Sequence, residues 1–204
     1  MKSFYQKVNK FSLSKIISID ETSIHAEMTA SYSRCKICVK KTSNNKVFRK
    51  FTLVCAISNK GIVGWELYEK CGMTSDRMVN FINKYIKSKY NNNLIIMDNS
   101  GAHKSKNIKE CVSESNNTLL YCVPYRLKTN AINSWFNQFK HYFKLLNNGA
   151  IKYNELKDKV KISIGKIPKK SYSNYIVYSY KTKEIITYEP KKSTRRRKLK
   201  EYID

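Results

Sequence analysis

Two aspartates in this sequence each follow a short apolar run, and carboxylates placed in this way could bind a divalent cation. Asp20 comes directly after the run at 16–19, and Asp98 directly after the run at 94–97. Short runs rich in β-branched residues are typical of buried strands. The carboxyl ends of such strands are where open α/β sheets place their chemistry. If the two strands are neighbours, the aspartates offer the hard oxygen ligands that Mg²⁺ and Mn²⁺ prefer.

A pair of aspartates of this kind could cleave phosphodiester bonds by a two-metal route. In that chemistry the cations lie about 3.5–4 Å apart, one activating the attacking oxygen and the other stabilising the leaving oxygen. A third acid usually completes the ligand set. Glu21 is adjacent to Asp20 and points to the opposite face of an extended strand. We therefore predict an accessory or structural role for Glu21, rather than a ligand role.

The order of the apolar patterns predicts which elements position the two aspartates. Strand patterns precede helix patterns in the first part of the chain, and the two then alternate. Strands are predicted at 15–22, 32–39, 48–57, 94–97 and 118–123, with 62–68 extending the sheet or lying at its edge, and helices at 74–86, 103–114, 130–146 and 153–164. This order predicts an α/β fold with a mixed sheet and helices on its faces.

Basic residues dominate the charge of the chain. Forty Lys and Arg against fifteen Asp and Glu give a formal net charge of +25 at pH 7. An excess of this size favours a polyanionic partner, most simply nucleic acid, although an AT-rich genome would also enrich lysine. No run of about 18 apolar residues and no signal peptide is present. We therefore expect no membrane partner and an intracellular protein, nuclear in a eukaryotic host and otherwise cytoplasmic.

The six cysteines are scattered along the chain, which favours reduced thiols over a disulfide framework. Cys35 and Cys38 form a single Cys-x-x-Cys pair. A structural zinc ion would need two more soft ligands, and neither a second such pair nor a closely spaced His pair follows. The sequence therefore favours buried or half-buried thiols over a zinc site.

Four motifs resemble the catalytic core of DDE transposases of the mariner-like superfamily. They read ISIDET at 17–22, TLVCAISNKGIVGWELYEK at 52–70, IIMDNSGAHKS at 95–105 and VPYRLKTNAINSWFNQFK at 123–140. The resemblance covers roughly residues 13–165. It implies a ribonuclease-H-like fold, with a mixed five-stranded sheet in which an antiparallel meander is followed by parallel strands. It also implies a metal-dependent endonuclease that cuts and transfers DNA strands, uses two Mg²⁺ or Mn²⁺ ions, and could act as a homodimer.

Carried over position by position, the resemblance assigns three places in the site. Asp20 matches the first catalytic aspartate, Asp98 the second, and Asn133 stands at the third acidic position. The 34 residues between Asp98 and Asn133 are the spacing typical of the superfamily. Because an amide replaces the third acid, we expect one metal to bind adequately and the second poorly. His103 matches the histidine that the family places just after the second aspartate, so it is expected beside the site.

The block before Asn133 departs from the family's usual sequence. The family's usual Ser-Pro-acid-Leu and a later Pro are replaced here by Arg126, Leu127, Lys128, Thr129 and Ala131. Asn130 matches the asparagine that the family usually has at this position. The residues expected to contact DNA are basic, and they are Arg126, Lys128, Lys140, Arg195, Arg196 and Arg197.

We expect three segments: a short basic leader at 1–12 that packs loosely or not at all, a catalytic core at 13–165, and a Tyr-rich segment with a basic tail at 166–204. Only about a dozen residues precede the first strand. The expectation is therefore a core without the helix-turn-helix modules that such transposases usually carry.

Three functions stay open from the sequence. The first is a transposase-type endonuclease, and the second is a catalytically inactive, basic DNA-binding remnant. Both predict DNA affinity that weakens steeply with salt. The third, an RNA-directed nuclease on the same fold, has no support in the sequence.

Overall fold

The computed structural model describes residues 2–25, 28, 50–69, 72–124, 126–146 and 153–181. The strand predicted at 32–39, the Cys35–Cys38 pair and the basic tail with Arg195, Arg196 and Arg197 lie outside these residues.

A single mixed sheet of five strands forms the centre of the described structure, in the order β3-β2-β1-β4-β5. The strands are β1 (Ile16–His25), β2 (Lys50–Ser58), β3 (Gly61–Tyr68), β4 (Leu94–Met97) and β5 (Thr118–Tyr121). β1 to β3 form an antiparallel meander, while β4 runs parallel to β1 and β5 parallel to β4. The predicted α/β fold and its mixed five-stranded sheet are confirmed.

Helices cover both faces of this sheet. They are α1 (Lys2–Val8), α2 (Ser75–Ile82), α3 (Lys106–Glu114), α4 (Ile132–Leu146), α5 (Tyr153–Gly165) and α6 (Lys169–Tyr180). Alternate residues of a strand point to opposite faces. Ile16 and Ile24 of β1 accordingly pack with α1, α4, α5 and α6, whereas Ile17 and Ile19 pack with α2 and α3. None of the described helices is long and apolar enough to cross a membrane.

The expectation of a loosely packed leader is wrong for residues 2–8. Phe4 and Val8 are buried in the same core cluster as the sheet. They lie four residues apart, so one face of α1 carries both into the core. The hydroxyl of Tyr5, on the same helix, donates to the Ser179 carbonyl at 3.4 Å, which links α1 to α6.

Residues 169–180 of the Tyr-rich segment form α6, although tyrosines suit a strand as well as a helix. Its buried residues Tyr172, Ile176 and Tyr180 recur every fourth position and join the same core cluster as α4 and α5. That spacing places all three on one helical face. The packed unit therefore continues to Tyr180 instead of ending at residue 165.

The absence of a side chain at Gly64 of β3 allows the Tyr85 ring to pack directly against the sheet. A Cβ at position 64 would lie 2.3 Å from the Tyr85 Cγ. The Tyr85 ring is held in place, because its hydroxyl donates to the Trp65 carbonyl at 3.1 Å and approaches the Glu66 Oε1 at 2.7 Å. Glycine is therefore required here by the closeness of an anchored ring.

We expect Gly64→Ala to lower the free energy of unfolding by about 1–3 kcal/mol, as overpacking typically does. Urea unfolding of the purified protein measures this change. The matched control is Gly165→Ala at the end of α5, where an added Cβ meets nothing within 4 Å. Equal unfolding midpoints for the two variants would show that the Tyr85 contact does not constrain position 64.

Candidate active site

Parallel pairing of β1 with β4 brings the two aspartates together. Ile16 pairs with Leu94, and Ser18 pairs with Ile96. Continuing this register by two residues sets Asp20 beside Asp98. Asp98 follows the end of β4, as predicted, but β1 does not end at Asp20. It runs on to His25, because its antiparallel pairing with β2 continues that far.

The Asp20 carboxylate lies in a half-buried and strongly polar environment. Its Oδ1 accepts the Glu21 backbone N–H at 2.8 Å, and its Oδ2 accepts the side-chain amide of Asn130 at 3.2 Å. Burial, followed by the nearby charges of Glu21 and Asp98, raises the pKa of Asp20 to about 7. A carboxylate held in this state favours a nearby cation, because a positive charge would offset both burial and repulsion.

His103 lies between Asp98 and Glu21. It belongs to the short turn Ala102–Lys104 and is fully buried. Its Nδ1 contacts the Asp98 Oδ1, and its Nε2 lies 3.1 Å from the Glu21 Oε2, an ion-pair distance without hydrogen-bond alignment. Burial alone would lower the pKa of His103, but the two carboxylates raise it to about 10. At neutral pH a buried imidazolium therefore joins the two acids.

Asp98 is the member of the pair that stays ionised. Burial acts to raise its pKa, but the contact with His103 and the Ser100 backbone N–H, which donates at 3.0 Å, outweigh burial and lower it. The two aspartates thus differ in acidity because burial and repulsion dominate at Asp20, whereas the contacts with His103 and Ser100 dominate at Asp98. Glu21 lies on the face of β1 opposite to Asp20, and its carboxylate forms an ion pair with the same histidine.

Asn133 is the second residue of α4 and is half-buried. Its backbone N–H donates to the Asn130 carbonyl at 3.2 Å, so the two asparagines occupy one turn at the start of the helix. In the sequence, Asn130 is distinguished only by its match to the family's usual asparagine. The helix predicted from residue 130 begins at Ile132, and the contact of Asn130 with Asp20 could not be read from sequence because it depends on how the residues before α4 fold back onto β1.

Tyr180 fixes the start of α4 against β1. Its hydroxyl lies 2.7 Å from the Ser18 Oγ and accepts the Ala131 backbone N–H at 3.1 Å. Ser18 is two residues from Asp20, and Ala131 is adjacent to Asn130. The last described helix therefore supports both sides of the site through one hydroxyl group.

Tyr180→Phe should lower the free energy of unfolding by about 1–3 kcal/mol, because the variant leaves the Ala131 N–H and the buried Ser18 hydroxyl without this partner. Urea unfolding monitored by circular dichroism would measure it. Tyr178→Phe is the matched control on the same helix: Tyr178 is 48% exposed, so its change should stay within about 0.5 kcal/mol. A Tyr180→Phe midpoint equal to that of Tyr178→Phe would rule out this role.

The predicted DNA-contacting residues fall in different environments. Arg126 and Lys128 are exposed on the loop between β5 and α4. Thr129 closes this loop, because its Oγ1 accepts the Val123 N–H at 3.1 Å and donates to the Arg126 carbonyl at 2.7 Å. Lys140 is half-buried on α4, and burial together with Lys144 lowers its pKa. Arg126 and Lys128 are thus better presented to a polyanion than Lys140.

Within the described ranges, no group of three or more His, Cys, Asp and Glu side chains is arranged to hold a metal ion. A cation placed at Asp20 and Asp98 would therefore need amide or water oxygens to complete its ligands. Two amides stand at the start of α4, and the Asn130 Oδ1 is buried without a hydrogen-bond partner among the described groups. The residues present fit a hard divalent cation bound by oxygen ligands.

The chain belongs to the DDE superfamily endonucleases, whose family model matches residues 15–157. Its ribonuclease-H-like fold is similar to that of Mos1 transposase. In the Mos1 transposase paired-end complex with left transposon end, the TM-score is 0.73 at 16% identity, over 88% of this chain and 56% of that chain. The comparison with the crystal structure of the catalytic domain of Mos1 mariner transposase gives a TM-score of 0.66 at 15% identity, over 88% of this chain and 84% of that chain.

The Mos1 mariner paired end complex with Mn gives a TM-score of 0.73 at 13% identity, over 88% of this chain and 57% of that chain. The chain thus spans little more than half the length of the Mos1 chains in the paired-end complexes. Among the curated proteins, none matches the chain.

Proposed function

We propose that this chain is the metal-dependent endonuclease domain of a mariner-type transposase, which cuts DNA strands and transfers them. The observation that supports this most directly is the parallel pairing of β1 with β4, whose register, continued by two residues, sets Asp20 beside Asp98. Membership of the DDE superfamily endonucleases agrees with it. The raised pKa of Asp20 is a further support, since groups with shifted pKa values cluster at functional sites.

Asp20, Asp98 and Asn133 are the residues proposed to hold Mg²⁺ or Mn²⁺. When bound, the metal supplies activation of the attacking oxygen and stabilisation of the leaving one. His103 keeps Asp98 ionised and oriented, and Asp20 must lose its proton before it can act as a ligand. Structures of Mos1 paired-end complexes with Mn and with Mg support this choice of cation. With an amide at the third place, a second metal is held more weakly than the first.

DNA is the proposed partner. Arg126 and Lys128, on the loop closed by Thr129, lie on the chain segment that leads directly to Asn130 and Asn133. The net charge of +25 provides the long-range attraction to phosphates. Further contacts with DNA are proposed for Lys140, Arg195, Arg196 and Arg197. The proposed assembly is a homodimer, and the proposed location is the nucleus in a eukaryotic host and otherwise the cytoplasm.

The second candidate is a catalytically inactive DNA-binding remnant of such a transposase. The amide of Asn133 at the third acidic position favours it. Both candidates predict DNA binding, so only cleavage separates them.

The test is nicking of supercoiled plasmid by the purified chain with Mn²⁺. The native chain should nick the plasmid, and Asp20→Asn should reduce the rate at least about a hundredfold, because it removes a charged ligand. Asp158→Asn, an exposed position on α5, is the matched control and should leave the rate unchanged. If the native chain does not nick but Asn133→Asp does, the inactive remnant is the correct function.

A further inference from the structure

Asn130 is the most deeply buried side-chain amide beside the two aspartates. Its nitrogen has a hydrogen-bond partner among the described residues, but its oxygen does not. The residue is 3% exposed. Its Nδ2 donates to the Asp20 Oδ2 at 3.2 Å, while its Oδ1 is buried with no hydrogen-bond partner among the described residues. Both atoms are bonded to the same carbon, so the unpartnered oxygen is one carbon atom away from the nitrogen that contacts Asp20.

The chain holds this amide in place from both sides. Before it, Thr129 is fixed by hydrogen bonds with Val123 and Arg126. After it, the Ala131 N–H donates to the Tyr180 hydroxyl. The backbone of Asn130 is therefore anchored, and the amide is preorganised toward Asp20.

A buried carbonyl oxygen without a partner costs free energy, and the structure offers this one no donor among the described residues. Amide oxygens are ordinary ligands of hard divalent cations. A cation bound at Asp20 would provide the missing partner. The Asn130 Nδ2 could meanwhile keep its hydrogen bond and hold the Asp20 carboxylate in position.

We propose that the Asn130 Oδ1 is a direct ligand of the divalent cation held by Asp20 and Asp98. The site would then contain a neutral oxygen ligand three residues before the family's third acidic position. This inference rests on the proposed function, because it needs a cation at the two aspartates. It adds a ligand that neither the resemblance nor the match to the family assigns.

A change of metal preference tests direct ligation. Thiolates prefer softer metals, so Asn130→Cys should weaken Mn²⁺ binding about 10-fold to 100-fold, measured by titration calorimetry. The same variant should add a thiolate–Cd²⁺ absorption band in the ultraviolet, above that of the native chain with its own six cysteines. Asn137→Cys is the matched control on an exposed position of α4 and should show neither change.

The outcomes separate this inference from the proposed function. If the native chain binds no Mn²⁺ and does not nick plasmid, the proposed function fails. If the native chain binds Mn²⁺ and nicks, but Asn130→Cys binds Mn²⁺ as tightly or adds no Cd²⁺ band, Asn130 is not a ligand. A role limited to positioning Asp20 would weaken Mn²⁺ binding without the band, and would equally overturn the inference.

Asn130→Asp keeps an oxygen at the same place and covers the case in which the cysteine variant does not fold. It should bind Mn²⁺ at least as tightly as the native chain, since a carboxylate oxygen replaces the amide oxygen. Weaker Mn²⁺ binding by Asn130→Asp than by the native chain would overturn the inference.

Discussion

Asn133→Asp should raise the rate of Mn²⁺-dependent plasmid nicking about a thousandfold. A unit charge about 4 Å from a cation, at an effective dielectric constant near 20, contributes about 4 kcal/mol. Each ~1.4 kcal/mol of barrier is a factor of ten in rate. The second position of α4 also tolerates an acid, because negative charge near a helix N-terminus is stabilising. Initial nicking rates of the native and variant chains under identical conditions give the ratio.

Asn137→Asp is the matched control for this experiment. It adds the same charge one turn further along α4, at an exposed position. Its nicking rate should stay within a few fold of the native rate. An equal increase in both variants would attribute the gain to general electrostatics and remove Asn133 from the site.

His103→Ala should lower the free energy of unfolding by about 3 kcal/mol. Removing one partner of a buried ion pair typically costs about 3–5 kcal/mol. The lower end applies because the side chains of Asp98 and Glu21 are 42% and 24% exposed, while that of His103 is 0% exposed. Urea unfolding at several pH values would measure the loss.

The effect of His103 should depend on pH in a fixed direction. Its folded pKa of about 10 lies above the ordinary value of 6.5. Its stabilising contribution is therefore fully present below about pH 6.5 and is lost as the pH rises through about 10. Adding Glu21→Gln to His103→Ala should recover part of the loss, because one uncompensated acid is removed. A loss that is independent of pH would show that His103 acts by packing alone.

Much of the fold could be predicted because its elements have strong local patterns. The runs that form β1 and β4 are short, apolar and followed by aspartates, and α4 repeats aromatic residues at helical spacing. α1 cannot be predicted in this way, because a seven-residue helix gives little periodic signal. The tyrosines of α6 suit strands as well as helices, and only the four-residue recurrence of Tyr172, Ile176 and Tyr180 indicates a helix.

The site was less predictable than the fold. The pairing of Asp20 with Asp98 followed from the strand patterns and the resemblance. The contacts of Asn130 and Tyr180 depend on how loops and a distant helix fold back onto β1, which no local pattern encodes. Likewise, the pKa values of the two aspartates shift in opposite directions because burial and the charges of Glu21 and Asp98 raise that of Asp20, whereas contacts with His103 and Ser100 lower that of Asp98.

The hydrogen bond between Asp20 and Asn130 joins positions 110 residues apart. In an unfolded chain these groups meet only after a long loop has closed, at an entropic cost. A cation held by both would therefore bind the folded chain and not the unfolded one. At one hundred times its dissociation constant it would add about 2.7 kcal/mol to the free energy of unfolding. The thermal midpoint of this protein would then be a property of the metal concentration as much as of the sequence.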